Sequence, residues 1–327
     1  MASYQTSLEQ DRAIHEHAVI GAVAPRGQIA VSGNDRAAYL QGLLTNDVQA
    51  LTAGQGCYAA WLTPQGRMLT DMHVFESGDM MLLDVPVEQM TPTLERLDQF
   101  LFSEDVRIAS LGGELTGVWL HGPAAARVLE VVLSGVVDAA GWAAHHNARA
   151  TFDGSAVVVA RVDQLGVPGF CVYVEPARAD ALVKALTAAG AGTADAAVLD
   201  AARIEARYPL FGTDMTDDTI PLEAGIEDRA ISFTKGCYVG QEVVIRVLHR
   251  GHGRVARRLV GLHVDGEPPA HGTKIFSAER EVGFITSAAE SLRLGSIALG
   301  YLHRDFVEAG TKVEVDTPGG RVPAEVR

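Results

Sequence analysis

A cysteine in a glycine-rich segment could supply a reactive thiol. Residues 235–242 read Lys-Gly-Cys-Tyr-Val-Gly-Gln-Glu. A thiol reacts as the thiolate, and the cation of Lys235, together with backbone amides left open by Gly236 and Gly240, would lower the pKa of Cys237. The alternative is a small buried hydrophobic residue, which is how most free cysteines behave.

Glu205 is a carboxylate on an otherwise apolar helix face. The spacing of apolar residues predicts a helix over residues 195–206, and Glu205 falls on its apolar stripe. Burying an unpaired carboxylate is unfavourable, so Glu205 needs a partner. That partner is either a ligand or a cation such as Arg207.

Asp71 is a second carboxylate among apolar and ionisable neighbours. In a strand predicted over residues 67–75, it points to the same face as His73 and Phe75. Within about 3 Å of a reacting nitrogen it could hydrogen-bond or exchange a proton. A solvent-facing strand residue is the alternative.

A basic segment follows the cysteine motif. Residues 235–258 carry six cationic side chains, including Arg246, against the single acid Glu242. Such a patch could hold an anionic ligand tail, an acidic partner or RNA phosphates. The alternative is a solvated hairpin edge.

The motif at residues 235–242 resembles the signature of the YgfZ family. These are folate-binding proteins of iron–sulfur cluster maintenance, related to the T-protein (aminomethyltransferase) of the glycine cleavage system. Further blocks resemble the family in the family order and cover nearly the whole chain: residues 43–48, 65–68, 203–206, 221–225, 282–287 and 295–300.

The resemblance implies a bound tetrahydrofolate or derivative in a central funnel, with Cys237 near its mouth. The resemblance implies that Glu205 binds the pterin, since the matching glutamate of T-protein relatives does so. Asp71 aligns with the catalytic aspartate of those relatives. Asn46 and Arg246 complete the expected folate-binding set, Arg246 by holding the glutamate tail. The expected motif around the functional cysteine comprises Lys235, Gly236, Cys237, Tyr238, Gly240, Gln241 and Glu242.

The function implied first is that of a folate-binding accessory protein for iron–sulfur cluster assembly or repair. Its partners would be iron–sulfur proteins or assembly factors, met transiently, and tRNA modification would depend on it through a cluster-dependent enzyme. Stable cluster ligation usually needs about four thiolates, so three isolated cysteines predict no permanently bound cluster.

Two other functions stay open. One is folate-dependent aminomethyl transfer or demethylation, which Asp71 and Glu205 permit. The chain stops at Arg327 without the basic tail that helps T-proteins hold the folate glutamate, which weighs against this function. The other is a binding module without chemistry, so whether the protein is an enzyme stays open.

Composition limits the remaining classes of function. The 327 residues are 47% hydrophobic and carry a formal net charge of −14, which disfavours membrane association and direct nucleic-acid binding. Cys57, Cys171 and Cys237 form neither a disulfide framework nor a zinc ribbon, and we assign no metal site. The N-terminus lacks signal-peptide features, so a cytoplasmic protein is expected.

The order of elements predicts an α+β protein of three domains. A strand, a helix and a three-stranded meander precede residue 111, and a strand–helix–strands–helix layer follows. Beyond residue 255, short apolar runs separated by glycine turns indicate a barrel. We therefore expect a discontinuous T-protein-like folate-binding core (1–110 plus about 195–250), a ferredoxin-like domain (111–194) and a C-terminal β-barrel (251–327).

Overall fold

The computed structural model describes residues 2–250 and 255–327. Its helices are α1 (Ala2–Glu16), α2 (Arg36–Leu43), α3 (Met90–Gln99), α4 (Ala125–Val132), α5 (Pro176–Ala188), α6 (Ala196–Glu205), α7 (Pro221–Ala224), α8 (Glu227–Ala230) and α9 (Gln241–Arg250). Its strands are β1 (Val19–Ile20), β2 (Arg26–Ser32), β3 (Gly56–Leu62), β4 (Met68–Glu76), β5 (Met80–Pro86), β6 (Arg107–Ser110), β7 (Thr116–His121), β8 (Asn147–Phe152), β9 (Ser155–Arg161), β10 (Gly169–Val174), β11 (Gly192–Thr193), β12 (Arg257–Val264), β13 (Lys274–Ser277), β14 (Arg280–Ser291), β15 (Gly295–His303), β16 (Lys312–Thr317) and β17 (Gly320–Val326).

The N-terminal sheet has the strand order β3-β4-β5-β2-β6. The antiparallel meander predicted from the sequence is confirmed: β3 pairs with β4, and β4 with β5. Gly66 and Gly78 take φ values of 77° and 101° in its two turns, a region that glycine enters without strain. One face of the sheet packs against α2 and α3 through Leu40, Leu43 and Leu97.

The second sheet has the order β11-β1-β7-β10-β9-β8, with α4 and α5 on its outer face. Its hairpin turn at Asp153 and Gly154 has φ values of 46° and 75°, the positive values that a type I′ turn requires. Strand β1 comes from the N-terminal part of the chain and pairs with β7 and β11. The layer over residues 111–194 therefore includes a strand from outside that range.

The two sheets pack face to face. Phe75 and Leu82 of the N-terminal sheet lie against Trp119, Cys171 and Tyr173 of the second sheet. The full order of layers is helices, sheet, sheet, helices, which buries both inner faces. Polar side chains on the inner face of the N-terminal sheet are therefore enclosed on every side.

The C-terminal barrel is closed in the order β12-β15-β14-β13-β16-β17, as the glycine-separated apolar runs predicted. A buried ion pair joins it to the body of the protein. Arg203 of α6 contacts Asp214 at 2.8 Å and donates to the Ser287 hydroxyl of β14 at 2.8 Å. Asp214 in turn accepts from the hydroxyls of Thr286 and Ser287, both at 2.6 Å.

The segment after the cysteine motif is helical. The hairpin edge considered for this region is wrong, because residues 241–250 form α9. Val244 is buried and Val247 and Leu248 pack beside it, and this spacing of three to four residues turns one helix face toward the core. Arg254 lies outside the described residues.

Gly240 begins this helix in a conformation that disfavours other residues. Its φ is 85°, and a Cβ there would lie 2.5 Å from the Thr63 carbonyl oxygen. We expect Gly240→Ala to lower the free energy of unfolding by about 1–3 kcal/mol, measured by urea denaturation. Gly236→Ala is the matched control, because nothing lies within 4 Å of its Cβ position. Equal effects of the two substitutions would contradict this account.

Candidate functional site

The candidate site is built on the inner face of the N-terminal sheet. Strand register sets Tyr58 opposite His73, and His73 opposite Asp84, so the three side chains form one row across β3, β4 and β5. Asp71 lies two residues before His73 and shares its face. Side-chain alternation along β4 predicted that Asp71 and His73 share a face. Tyr58 and Asp84 lie beside them because β3 and β5 pair with β4.

Asp71 is buried and only partly satisfied. Its side chain accepts a hydrogen bond from the Tyr58 hydroxyl through Oδ2 at 2.5 Å, and Oδ1 lies 3.7 Å from Nη1 of Arg26. Asp71 is 3% exposed, so the solvent-facing alternative is wrong. Among the described residues, Oδ1 is buried without a hydrogen-bond donor.

A second carboxylate balances the Arg26 charge. Asp84 forms an ion pair with Arg26 and accepts from the Tyr173 hydroxyl of the second sheet. Arg26 also lines a cavity of about 300 Å³, together with Pro25, Pro86, Leu210, Phe211 and other residues. Arg26 thus borders the cavity and also lies near Asp71.

Arg229 of α8 covers two tyrosines of the site. Its guanidinium carbon lies 4.9 Å from the ring centroid of Tyr58 and 4.3 Å from that of Tyr208, within the range of cation–π attraction. Within the described part of the chain, Nε and Nη2 of Arg229 are buried without an acceptor. The sequence did not indicate Arg229 or Tyr208, because neither belongs to a motif or to a periodic pattern.

Buried His73 and half-buried His145 extend the polar row toward the second sheet. Nδ1 of His73 lies 3.1 Å from Nε2 of His145, and Nε2 of His73 lies 3.5 Å from the Tyr208 hydroxyl. Burial, reinforced by Arg26 and His145, holds the pKa of His73 well below its usual value. Burial, reinforced by Arg229, lowers the pKa of His145 to about 4. Both rings are therefore neutral at physiological pH.

These shifts predict a loss of stability in mild acid. Burial also lowers the pKa of His121 to about 4. In the folded protein His121 therefore stays neutral, as do His73 and His145. In the unfolded chain all three bind protons near pH 6.5. Stability is fully present above pH 6.5 and falls as the pH drops toward 4, by about 1.3 kcal/mol per histidine between pH 7.5 and 5.5. Urea denaturation at the two pH values measures the sum of about 4 kcal/mol.

A variant isolates one histidine of the three. His121→Gln should reduce the difference between the two pH values by about a third, because one low-pKa imidazole is gone. His263→Gln, at an exposed position, should leave it unchanged. If the stability difference between pH 7.5 and 5.5 were the same in the wild type and both variants, protonation of His121 would not contribute to it.

The Lys235 ammonium is held by backbone carbonyls of a distant helix end. Its ammonium donates to the carbonyl oxygens of Gln41, Leu44 and Asn46 at 2.7, 2.6 and 2.9 Å. These carbonyls lie at and just beyond the C-terminal end of α2, where a cation is favourable. Burial lowers the pKa of Lys235 to about 8, which leaves the ammonium mostly protonated at neutral pH. The ammonium is thus engaged at the end of α2, and the activation of Cys237 by Lys235 stays a prediction.

The rest of the motif holds the thiol at the surface. Gly236 and Cys237 are exposed, whereas Tyr238 is buried with its ring 5.1 Å from the Lys235 ammonium. Gln241 and Glu242 form the first turn of α9. Lys235 and Tyr238 anchor the loop from which Cys237 projects.

Asn46 joins the motif to the buried site. Its side-chain amide donates to the carbonyl oxygens of Tyr58 at 2.8 Å and Arg229 at 3.0 Å, and its oxygen accepts from the Asp47 amide. The side chain therefore fixes the backbone of two site residues. Its backbone oxygen is the third acceptor of Lys235.

Comparison with known proteins assigns the family. The GCVT N-terminal domain matches residues 3–235, and the glycine cleavage T-protein C-terminal barrel domain matches residues 257–327. The chain belongs to the glycine cleavage T-protein family. The Cys237 loop and α9 lie between the two matched ranges.

Relatives of this T-protein family member carry the name aminomethyltransferase. That of Geobacillus kaustophilus is 31% identical over 331 residues, 99% of this chain and 89% of the relative. That of Rubrobacter xylanophilus is 31% identical over 295 residues, 90% of this chain and 78% of the relative. These names agree with the second function considered from the sequence.

A solved T-protein structure has the same fold. Aminomethyltransferase T of Bartonella henselae superposes with a TM-score of 0.85 at 22% identity, covering 98% of this chain and 88% of that one. The expected α+β T-protein-like fold with its C-terminal barrel is confirmed.

Glu205 lies at the junction of the T-protein body and the barrel. Its carboxylate accepts from the Ser291 hydroxyl and forms an ion pair with Arg293, both beside the β14–β15 turn. Both oxygens are thus used by the barrel. The geometry favours the structural ion pair, with Arg293 as the cation in place of Arg207.

The basic segment of this family member is partly neutralised. Arg257 pairs with Glu223 and Arg258 pairs with Glu227, while Arg246 is exposed on α9. Arg246, which was expected to hold the anionic tail of the ligand, lies on the exposed surface of α9. Arg254 and the side chain of Arg250 lie outside the part of the chain that the structure describes.

Two other properties follow from the described residues. No group of three or more His, Cys, Asp or Glu residues among them is arranged to hold a metal ion. None of the helices in the described ranges combines the length and the apolar character needed to cross a membrane.

Proposed function

We propose that this chain binds tetrahydrofolate, with the pterin held by Asp71 and Arg229. The observation that carries the proposal is a pair of buried groups with unused hydrogen-bonding capacity. Oδ1 of Asp71 lacks a donor, and Nε and Nη2 of Arg229 lack an acceptor, within the part of the chain described. Unsatisfied buried polar atoms are unfavourable, so a ligand that supplies both partners would stabilise the site.

A pterin has the matching chemistry. Its ring edge carries N–H donors that a carboxylate accepts and a carbonyl oxygen that a guanidinium donates to. Tyr58 and Tyr208 add aromatic surface beside Arg229. Burial, followed by the charge of Asp71, raises the pKa of Tyr58 well above its usual value, so its hydroxyl keeps donating to Oδ2 and leaves Oδ1 for the ligand.

Calorimetric titration with tetrahydrofolate tests the proposal. We expect the wild type to bind and Asp71→Asn to bind about tenfold more weakly, because a charge-assisted hydrogen bond becomes a neutral one. Asp79→Asn, at an exposed carboxylate, is the control. Absence of binding to the wild type, or equal affinity of Asp71→Asn, would contradict the proposal.

Folate-dependent aminomethyl transfer is the first use we propose for this site. It is supported by the names of relatives that share nearly the whole chain. Asp71 would accept a hydrogen bond from the pterin and orient it. Methylene transfer from an aminomethyl-lipoyl carrier to tetrahydrofolate is the assay, and Asp71→Asn should lower its rate.

Support of iron–sulfur proteins, the YgfZ-type role, is the second candidate. One observation favours it: Cys237 is exposed on an anchored loop that lies between the ranges matched by the two family domains. An exposed thiol can act transiently on a cluster protein, either as a ligand or in thiol exchange. Bound folate would then serve that accessory role.

Substitution of Cys237 separates the two candidates. In a strain lacking the gene, wild type but not Cys237→Ser should restore a cluster-dependent enzyme, such as one that modifies tRNA, if the accessory role holds. Cys57→Ser controls for thiol loss at a half-buried position away from the motif. Full restoration by Cys237→Ser would exclude the thiol-dependent role and leave aminomethyl transfer.

A further inference from the structure

Two arginines lie side by side where the body of the protein meets the barrel. Arg207 follows α6 and Arg327 follows β17, and both side chains reach Gly261 of β12. A Cβ built on Gly261 would lie 3.2 Å from Nε of Arg207 and 3.3 Å from Nε of Arg327. The absence of a side chain at Gly261 therefore lets two guanidinium groups occupy one patch of the barrel surface.

Arg327 is held in place but keeps an unused donor group. Its Nη2 donates to the backbone carbonyl oxygen of Glu205 at 2.8 Å, which fixes the orientation of the guanidinium. Its Nη1 is buried and, among the described residues, has no acceptor. An unsatisfied buried donor is unfavourable, so an acceptor supplied from outside the chain would stabilise this position.

Arg207 occupies a backbone position that disfavours any residue with a side chain. Its φ is 54°, in the left-handed region that glycine enters without strain. The side chain is exposed, and within the described part of the chain it forms neither an ion pair nor a hydrogen bond. A strained position whose guanidinium has no polar partner indicates a contact with a group that the chain itself does not supply.

The two guanidinium groups carry positive charge without an acid of their own. Burial, reinforced by the charge of Arg207, lowers the pKa of Arg327, and Glu205 acts in the opposite sense. The Glu205 carboxylate is already used by Ser291 and Arg293. A dianion would balance both charges, and the several oxygens of a phosphate group match the N–H forks of two arginines.

We propose that Arg207 and Arg327 form a binding site for a phosphate group at the junction of the body and the barrel. The exposed Arg207 lies on the solvent side of the site, and Nη1 of Arg327 supplies the inner donor. A bound phosphate would connect the end of α6 with the end of β17 and so stabilise the junction. The site shares no residue with the proposed folate site and stands independently of it.

Thermal unfolding of the complete chain in phosphate tests the site. At an ionic strength held constant with chloride, the melting temperature of the wild type should rise with phosphate and level off as the site fills. Arg207→Met should lose the saturable part and keep the non-specific stabilisation that phosphate gives to most proteins. Arg127→Met removes an exposed arginine of α4 and is the matched control. An equal response of the wild type and Arg207→Met would overturn the proposal.

Calorimetric titration identifies the ligand. We expect Arg207→Met to weaken phosphate binding at least about tenfold, and Arg207→Lys to recover only part of the affinity, because lysine lacks the fork of donors. Acetate carries a single charge and should bind more weakly than phosphate, so equal affinities would refute the assignment to a phosphate group. Inorganic phosphate and glycerol phosphate are titrated separately, and the tighter of the two shows whether the site takes free or esterified phosphate.

Stability without phosphate distinguishes a ligand site from a structural role of Arg207. In chloride alone Arg207→Met should be at least as stable as the wild type, because it removes one of two neighbouring like charges and breaks no ion pair. Arg207→Gly should also be at least as stable, since glycine adopts the positive φ without strain. A loss of stability in both variants would show that Arg207 supports the fold itself, and the proposal would be wrong.

Discussion

Replacing Arg203 with methionine is expected to lower the free energy of unfolding by about 3–5 kcal/mol, because the substitution leaves the Asp214 carboxylate buried without a cation. Asp214 has a fully buried side chain, and that of Arg203 is 2% exposed. Methionine preserves most of the packing volume of the arginine side chain. The decrease in the free energy of unfolding therefore measures the loss of the ion pair and its hydrogen bonds. Urea denaturation of the complete chain gives the value.

Two further variants show whether charge is the cause. Arg203→Met combined with Asp214→Asn should recover part of the loss, because the second change removes the unpaired charge and keeps hydrogen-bonding groups. Arg12→Met breaks the exposed Arg12–Glu16 pair and should change stability by less than about 1 kcal/mol. A double variant less stable than the sum of the single changes would point to packing instead.

Replacing Arg229 with methionine is expected to weaken tetrahydrofolate binding by about tenfold to a hundredfold. One or two charge-assisted hydrogen bonds to the ligand would be lost, each contributing about 1.5–3 kcal/mol before the ligand's remaining contacts adjust. Arg229→Lys should recover only part of the affinity, since a lysine keeps the charge but not the planar fork of donors. Calorimetric titration measures all three proteins.

The controls distinguish a lost contact from a damaged fold. Arg229 carries no ion pair among the described residues, so its substitution should lower the free energy of unfolding by no more than the loss of its two cation–π contacts, about 1–2 kcal/mol. Arg149→Met removes an exposed arginine on β8 and should bind as the wild type does. An Arg229→Met variant that folds normally and retains full affinity would place the pterin elsewhere.

Local patterns predicted much of the fold and part of the candidate site. Alternation of apolar residues placed β4 almost at its observed bounds, and glycine turns indicated the barrel. The same alternation put Asp71 and His73 on one inward face, since side-chain direction in a strand depends only on position along it. The helical α9 was missed, because a basic and glycine-rich segment obscured its short apolar stripe.

Partners distant in sequence could not be predicted from these patterns. Lys235 lies two residues from Cys237, yet its ammonium bonds to the end of α2, almost two hundred residues earlier in the chain. Glu205 stands on an apolar stripe as predicted, but the barrel supplies its cation. Spacing along the chain shows that a buried charge needs a partner, whereas the packing of separate elements decides which partner it finds.

The sequence by itself indicated the relationship to the T-protein family, the order of elements and the presence of inward-facing ionisable groups, because motifs and periodicity are local properties. Only the tertiary structure decided the candidate site. Arg229 of a four-residue helix meets Tyr58 and Tyr208 across the interior, and His145 reaches His73 from the turn before β8. These contacts arise because two sheets and a connecting segment bury their polar faces together, and buried polar groups must find partners there or leave room for a ligand.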